Sequence, residues 1–150
     1  MARPTISIRG VDVFQGYLDP TEQQALVEDL RAVIRQAPLF SPVTPGGRKM
    51  SVRMTSAGRY GWVSDHSGYR YAPRHPGGGT WPPIPERVLA AWRDLVGPGR
   101  DPDCCLVNWY TEGARMGLHQ DRDEADFGWP VLSLSLGDEG LFRVGNTTRG

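Results

Sequence analysis

The sequence has little that would place the protein in a membrane or outside the cell. No apolar run approaches the roughly 20 residues that cross a bilayer, and the N-terminus "MARPTISIRG" lacks an apolar signal core. The two cysteines, Cys104 and Cys105, are adjacent, which excludes an ordinary disulfide between them and fits no zinc-binding spacing. We therefore expect a cytoplasmic protein, without a membrane segment, whose thiols are reduced and buried.

The sequence also lacks an excess of either charge, because 17 basic residues balance 17 acidic ones. The charges are unevenly distributed. Between positions 48 and 74 six basic residues accompany one acid, whereas between positions 101 and 126 seven acids accompany two arginines. The first segment could face a polyanion and the second a cation or metal ion. Chance clustering on a solvated surface is the alternative.

With 150 residues, 19 glycines and 13 prolines, the chain is predicted to form one domain, residues 1–150, rich in strands and loops. One or two short strands are expected within residues 6–19. Asp19, Pro20 and Glu22 have the spacing of a helix start with a capping box, and Pro38 ends this helix. Its apolar face is predicted to contain Leu26, Leu30, Val33, Ile34 and Ala37.

A second helix is predicted in "PERVLAAWRDLVGPG", with Val88, Leu89, Trp92 and Leu95 on one face. The segment between the helices alternates at first and then becomes rich in glycine, proline and aromatic residues, as in a long functional loop. After Cys104, four short runs separated by turn residues predict β-strands: "CLVNWY", "ARMGLHQD", "PVLSLSLG" and "GLFRVG". The coarse prediction is an α+β protein of antiparallel strands with two helices on one side.

Polar residues in "NWYTEGARMGLHQDRDE" share one face if the turn "TEGA" closes a hairpin. Residues i and i+2 of a strand point the same way, which groups Asn108 with Tyr110 and His119 with Asp121. In this register, Asn108 pairs with Gly117; a loop of odd length would shift it. The opposite face would collect Val107, Trp109, Met116 and Leu118.

An imidazole and a carboxylate in a His-x-Asp pattern supply two of the three ligands in the facial triad of non-haem Fe(II) oxygenases. The bare tripeptide also arises by chance, for example in a salt-bridged surface histidine. The wider context distinguishes these interpretations. The segments "SPVTPGGRKMSVRMTSAGRYGW", "GYRYAP", "WPPIPE", "CLVNWYTEGARMGLHQDRDE" and "PVLSLSLGDEGLFRVG" follow one another in the order of a known family. From about Phe40 onwards, the chain resembles the AlkB family of Fe(II)- and 2-oxoglutarate-dependent dioxygenases.

The resemblance implies a fold and a set of roles. The fold is a double-stranded β-helix (a cupin-like jelly roll) in residues 104–145, with two helices beside it and a substrate lid in residues 40–80. His119 and Asp121 resemble the first two iron ligands, and Asn108 and Tyr110 resemble the pair that binds 2-oxoglutarate. Trp62, Tyr69, Met54 and Asp123 resemble substrate-binding residues.

Some of these roles have structural alternatives. Met54 could be a core methionine, Tyr110 a core aromatic residue, and Asp123 part of a solvated acidic turn with Glu124 and Asp126. Chemistry favours the functional role of Asp123 and Trp62. A base methylated at a pairing nitrogen is cationic, and both a carboxylate and an indole face attract a cation.

The implied reaction is oxidative demethylation of bases of the 1-methyladenine or 3-methylcytosine type in DNA or RNA. Fe(II), O₂ and 2-oxoglutarate take part, and formaldehyde and succinate are released. The base is repaired without excision, so it has to be single-stranded or flipped out of the stack. We expect a monomer that binds such a strand, with no catalytic side chain beyond the metal ligands.

The chain departs from the family in its last residues. Family members continue beyond the strand that resembles "GLFRVG" with a second iron-binding histidine and arginines for 2-oxoglutarate. Neither His66 nor His75 matches that histidine, and Arg143 and Arg149 do not fit the arginine motif. A partial sequence, a site completed by a partner chain and a degenerate nucleic-acid-binding remnant are the three explanations. We expect residues 1–150 alone to be poorly stable and inactive. A related oxygenase with a substrate other than nucleic acid is the competing enzyme.

Overall fold

The computed structural model describes residues 3–117, 119 and 130–145. Within these residues the chain forms antiparallel strands and two helices, as the sequence predicts. The elements are β1 (Ile6–Ile8), β2 (Val11–Val13), α1 (Pro20–Gln36), β3 (Arg53–Gly58), β4 (Gly61–Asp65), β5 (Gly68–Ala72), α2 (Glu86–Leu95) and β6 (Cys104–Trp109). The strands pair as β1 with β2, β3 with β6, and β4 with β5. Neither of the helices described is long and apolar enough to cross a membrane.

Helix α1 begins where the sequence predicts. The Asp19 side chain accepts a hydrogen bond from the Glu22 amide at 2.7 Å, and the Glu22 carboxylate accepts one from the Asp19 amide at 3.3 Å. This capping box satisfies two backbone donors that the first helical turn would otherwise leave unpaired. Leu26, Val33 and Ala37 are buried, which confirms the predicted apolar face at these positions.

The main contact of α1 is with the sheet formed by β3 and β6. Val33 packs with Ala57 of β3 and Val107 of β6 in one buried cluster, and Cys105 lies at its edge. The Thr55 hydroxyl, fully buried, donates to the Ala37 carbonyl at 2.7 Å and thereby joins β3 to the end of the helix. One face of the β3–β6 sheet is therefore covered by α1.

Helix α2 confirms the second predicted helix, ending at Leu95 just before Gly97. Trp92 is buried, whereas Val88, Leu89 and Leu95 are only partly buried. The Trp92 indole donates to the Arg100 carbonyl at 2.9 Å. Since no side chain caps this helix at Pro85, packing of Trp92 and Ala91 stabilises it rather than a capping hydrogen bond.

The long loop predicted between the helices is wrong in part, because this segment contains β3, β4 and β5. Glycine makes the turns between them possible. Gly58 and Gly68 have φ of +118° and +108°, a region that other residues rarely adopt. The glycines therefore mark strand ends here and not an unstructured stretch.

An aromatic cluster around the buried Trp81 supports the β4–β5 hairpin. The Trp81 indole donates to the Ala72 carbonyl at 2.8 Å, and its ring lies 5.3 Å from that of His75. The His75 ring also lies 5.3 Å from that of Phe40. His75 Nδ1 accepts from the Gly77 amide at 2.9 Å, so its proton is on Nε2, which donates to the Pro38 carbonyl at 2.8 Å. His75 is thus a structural residue in this arrangement.

The strands predicted after β6 are not confirmed: the described residues contain no strand from position 110 onwards, and the predicted run 114–121 lies partly outside them. The predicted pairing of Asn108 with Gly117 does not form: Asn108 faces Met54 in the β3–β6 pair, and Gly117 belongs to no strand or bridge. In the segment 131–136, burial alternates with the two-residue period of a strand, although no strand forms. Leu132, Leu134 and Leu136 are partly buried, and their neighbours are exposed.

Gly61 provides a test of the hairpin's packing. A Cβ atom at this position would overlap the Trp81 ring. We expect Gly61→Ala to lower the free energy of unfolding by about 1–3 kcal/mol, a usual cost of overpacking. Urea denaturation would measure the change. Gly140→Ala is the matched control, because a Cβ atom there would have no other atom within 4 Å. An unchanged stability for Gly61→Ala would contradict the close packing.

Cys105 provides a test that depends on pH. Burial raises the pKa of its thiol from 9.0 to about 11. The folded state therefore favours the neutral thiol, and this contribution is complete below about pH 9 and lost as the pH rises towards 11. We expect the wild type to lose roughly 2–3 kcal/mol more stability than Cys105→Ala across this interval. Parallel denaturation curves would measure it; identical pH profiles would contradict the burial of the thiol.

Candidate functional site

The exposed face of β6 carries the two residues predicted to bind 2-oxoglutarate. Asn108 lies on this face beside Leu106, and Tyr110 follows the strand with half of its surface exposed. Val107, on the opposite face, is buried under α1. The predicted separation of polar and packed faces is thus confirmed for Asn108 and Val107. Trp109 departs from it, since 42% of its surface remains exposed.

Met54 lies directly beside Asn108, because the two are Cα partners in the β3–β6 register. Paired residues of an antiparallel sheet project from the same face, so the two side chains are neighbours. Met54 is 1% exposed, and its backbone exchanges two hydrogen bonds with Phe40 at 2.8 and 2.9 Å. Met54 is therefore as buried as a core residue, and it lies beneath Asn108. A role in lining the pocket stays a prediction.

The turn after β6 forms at the predicted residues. The Ala114 amide donates to the Thr111 carbonyl at 2.9 Å, and Gly113 has a φ of +79°. In the described residues beyond this turn, the chain does not join a sheet. Its contact with the β3 side of the molecule comes instead through Ser51, whose hydroxyl exchanges two hydrogen bonds with the backbone of Arg115. Sequence reasoning missed Ser51, because a single hydroxyl in a strand-like segment carries no distinctive pattern.

His119 is exposed, and its Nδ1 lies 2.8 Å from the Gly117 carbonyl. A carbonyl can only accept, so Nδ1 donates to it, and in the neutral ring this leaves Nε2 as the acceptor. A backbone carbonyl is a common partner for the protonated nitrogen of a metal-binding histidine. The tautomer is therefore the one that a metal ligand coordinating through Nε2 requires.

Asp121 and Asp123, the other two residues predicted at this end of the site, lie outside the described residues. Within the part of the chain that the structure describes, no group of three or more His, Cys, Asp or Glu side chains could hold a metal ion. Imidazole nitrogen and carboxylate oxygen nevertheless suit ferrous iron, and an amide and a phenol suit the carboxylates of 2-oxoglutarate. By donor chemistry, His119, Asp121, Asn108 and Tyr110 fit the groups assigned to them.

The two predicted lid aromatics come together on the β4–β5 hairpin. The rings of Trp62 and Tyr69 are stacked, with centroids 5.4 Å apart and planes inclined by 18°. The register explains the contact, because Trp62 pairs with Tyr71 and Ser64 with Tyr69, which makes Trp62 and Tyr69 diagonal neighbours on one face. The sequence placed both residues in the lid, but did not predict that they would stack on each other.

The tip of this hairpin is held by an ion pair that the sequence reasoning also missed. The Arg70 guanidinium donates to both carboxylate oxygens of Asp65, at 2.8 and 2.9 Å, and the Ser67 amide donates to one of them at 2.8 Å. These hydrogen bonds, the one from Arg70 first, lower the pKa of Asp65 from 3.8 to about 2. Asp65 is therefore ionised at neutral pH, and the hairpin keeps its ion pair with Arg70.

The basic segment keeps several uncompensated charges. Arg70 is paired with Asp65, and Arg59 lies 3.5 Å from Asp103. For the other four basic residues of the segment, the described residues provide no ion pair. They are Arg48, Lys49, Arg53 and Arg74. This distribution keeps positive charge on both sides of the stacked rings in the sequence, as the prediction of a polyanion-binding segment requires.

Comparisons with known proteins extend over most of the chain. The family model described as the 2OG-Fe(II) oxygenase superfamily matches residues 10–150. An alpha-ketoglutarate-dependent dioxygenase AlkB homolog of Caulobacter vibrioides is 51% identical over 150 residues, covering 99% of this chain and 68% of the relative. The alpha-ketoglutarate-dependent dioxygenase AlkB of Escherichia coli K12 is 39% identical over 131 residues, covering 84% of this chain and 61% of that relative.

A more distant relative is the DNA N(6)-methyladenine demethylase ALKBH1C of Arabidopsis thaliana, which is 29% identical over 167 residues. That alignment covers 95% of this chain and 36% of the relative. The superfamily match and the Caulobacter relative each extend over nearly all of the sequence, including the segment with His119 and Asp121. The chain belongs to the 2OG-Fe(II) oxygenase superfamily and, within it, to the AlkB family.

Proposed function

We propose that this protein is an Fe(II)- and 2-oxoglutarate-dependent dioxygenase that oxidatively demethylates N-alkylated bases in DNA or RNA. The observation that carries the proposal is the Trp62–Tyr69 stack, which presents an aromatic platform within a segment of uncompensated positive charge. Family membership supports the oxidative chemistry, and the names of the bacterial relatives agree with it. Bases of the 1-methyladenine and 3-methylcytosine type are the proposed substrates.

Recognition of the damaged base rests on its charge and its flat shape. Trp62 is partly exposed beside the half-exposed Tyr69, so a base can reach the indole face at the edge of the pair. A cationic base is attracted by an indole face more strongly than a neutral one. We assign Asp123 as the carboxylate that adds to this preference. An unmodified base lacks the charge that both groups favour.

The cofactor would be held by residues from two parts of the chain. His119 and Asp121 would coordinate the iron, and Asn108 and Tyr110 would donate hydrogen bonds to 2-oxoglutarate. When bound, iron and 2-oxoglutarate supply with O₂ the oxidation of the N-methyl group that ends in formaldehyde, succinate and carbon dioxide. The packing of β6 against β3 and α1 fixes Asn108, whereas the Gly117 carbonyl sets the tautomer of His119.

The substrate strand would be single-stranded or have its target base flipped out, because the methyl group occupies the pairing edge. Arg48, Lys49, Arg53 and Arg74 would bind its phosphates, while Trp62 and Tyr69 bind the base and neighbouring backbone. A backbone grip of this kind tolerates many sequences, and its affinity falls with added salt.

The proposal extends to the fold and the state of the protein. The antiparallel β3–β6 pair is compatible with one part of a double-stranded β-helix, which the superfamily adopts. A monomeric state and a cytoplasmic location remain predictions. A related oxygenase with a different substrate and a catalytically inactive nucleic-acid-binding remnant are distinguished from the proposed enzyme by the experiments below.

Trp62 provides the test of base recognition. In the full-length protein with Fe(II), 2-oxoglutarate and O₂, we expect Trp62→Ala to lower formaldehyde release from a 1-methyladenine oligonucleotide by roughly five- to 150-fold, because it loses base stacking of about 1–3 kcal/mol. Substrate-independent succinate formation should be largely retained. Trp62→Phe, which keeps a stacking face, should retain part of the activity.

The outcomes separate the candidate functions. Succinate formation without any demethylation by the wild type would indicate an oxygenase with another substrate. Loss of both activities together with unchanged iron content in His119→Ala would indicate the inactive remnant. Equal demethylation by Trp62→Ala and the wild type would refute the role of the aromatic platform.

The basic segment provides a test of phosphate binding. We expect the double variant Arg48→Gln/Lys49→Gln to bind a single-stranded oligonucleotide more weakly and with a flatter salt dependence. Each lost phosphate contact should reduce the slope of log K against log salt by about 0.7. Fluorescence anisotropy at several salt concentrations would measure it. Arg87→Gln is the control, because Arg87 is paired with Asp29 between the two helices; an equal effect in that variant would argue against a specific basic segment.

A further inference from the structure

One serine hydroxyl joins two parts of the candidate site that are distant in sequence. The Arg115 amide donates to Ser51 Oγ at 3.1 Å, and the Ser51 hydroxyl donates to the Arg115 carbonyl at 3.0 Å. The two residues are 64 positions apart. A single side chain thus satisfies both backbone groups of Arg115, which a neighbouring strand would satisfy in a regular sheet.

The Ser51 side of this contact is well anchored. Ser51 itself is exposed, but Val52 is 0% exposed and Met54 is 1% exposed. Strand β3 begins two residues later, at Arg53, and is fixed by its pairing with β6 and its contact with α1. The hydroxyl therefore projects from a part of the backbone that cannot move far without disrupting the core.

The Arg115 side is the part of the chain that leads to His119. Arg115 follows the turn at Glu112 and Gly113 and precedes His119 by four residues. Strand β6 ends at Trp109, ten residues before His119. With Arg115 held, four extended residues allow His119 to lie at most about 14 Å away; from Trp109 alone, ten residues would allow about 35 Å.

We propose that Ser51 is a positioning residue for the metal ligand His119, acting through its two hydrogen bonds with the backbone of Arg115. The inference rests on the proposed function only in taking His119 as the metal ligand. In this role Ser51 acts through the Arg115 backbone and is not itself a ligand. It shortens the tether of His119 and holds the ligand segment at the same end of β3 as Met54 and Asn108.

The expected size of the effect follows from the tether length. The entropic cost of closing a flexible loop of n residues grows as (3/2)RT ln n, so the probability that its ends meet falls as n to the power −3/2. Lengthening the tether from four to ten residues lowers the local concentration of His119 at the metal roughly fourfold. Loss of the Ser51 contact should therefore weaken metal binding by about this factor, without removing any ligand.

Metal binding by the full-length protein tests the proposal. Co(II) serves as the probe, and its ligand-field absorption gives both the dissociation constant and the coordination environment. We expect Ser51→Ala to raise the dissociation constant for Co(II) about fourfold with little change in the final spectrum. Ser51→Thr, which keeps the hydroxyl, should bind as the wild type does. Ser51→Val, which has the shape of threonine without the hydroxyl, should behave as Ser51→Ala.

A control serine distinguishes this effect from a general loss of stability. The exposed Ser7 hydroxyl donates to Asp12 at 2.6 Å in the β1–β2 hairpin. Ser7→Ala loses one exposed hydrogen bond and should leave Co(II) affinity unchanged. Because Ser51 is exposed, Ser51→Ala should fold, and its melting temperature would be measured alongside.

The proposal is overturned if Ser51→Ala binds Co(II) as tightly as the wild type, if Ser51→Val does so, or if Ser51→Thr is as weak as Ser51→Ala. It is also overturned if the wild type does not bind Co(II), or if His119→Ala leaves Co(II) binding unchanged. Failure of base demethylation is a separate outcome. A wild type that binds Co(II) with the expected Ser51 dependence but releases no formaldehyde would retain this inference and reject the proposed substrate.

Discussion

The arrangement of the described residues depends on strand β3 and the two polar side chains at its centre. Thr55 and Ser56 are both fully buried, and they project from opposite faces of the strand. The Thr55 hydroxyl donates to the Ala37 carbonyl at the end of α1, and Ser56 Oγ accepts from the Trp62 amide of β4 at 3.3 Å. A buried hydroxyl without a partner costs about 1–3 kcal/mol, so these bonds specify what lies on each face.

Strand β3 positions three parts of the candidate site. Its edge pairs with β6 and places Asn108 beside Met54. Its outer face, through Ser56, fixes the start of the hairpin that carries Trp62. The backbone just before it presents Ser51 to the segment that leads to His119. The residues proposed to bind cofactor, base and metal belong to different elements, and β3 is the element that they share.

The sequence predicted well those features that depend on local chemistry. The capping box of Asp19 and Glu22 identified the start of α1, and the alternation around Val107 identified the packed face of β6. The resemblance to a family assigned Trp62 and Tyr69 to the substrate lid, and the structure brings them together on one hairpin. In each case, the informative residues lie within a few positions of one another.

The features that the sequence did not predict depend on contacts between distant positions. The turn after Tyr110 forms, but no strand follows it in the described residues, and the strand that pairs with β6 is β3, about 50 residues earlier. The register of that pair is set by what α1 covers, and a local pattern does not encode it. The same holds for Ser51 and His75. Their side chains form hydrogen bonds with backbone groups of other segments. The sequence alone does not show which serine or histidine makes such a bond.

The stacked aromatic pair changes how selectivity for a damaged base can arise. Trp62 already has Tyr69 as a partner, so a base that stacks on Trp62 at the expense of this contact gains only the difference between the two interactions. For a neutral base part of the gain is offset, because the Trp62–Tyr69 contact that it replaces is itself worth about 0.5–1.5 kcal/mol beyond the area it buries. A cationic base adds a cation–π contribution of about 0.5–2 kcal/mol, which Tyr69 cannot match. On the proposed function, competition with Tyr69 therefore offsets part of the stacking energy that every base shares and leaves intact the part that depends on charge.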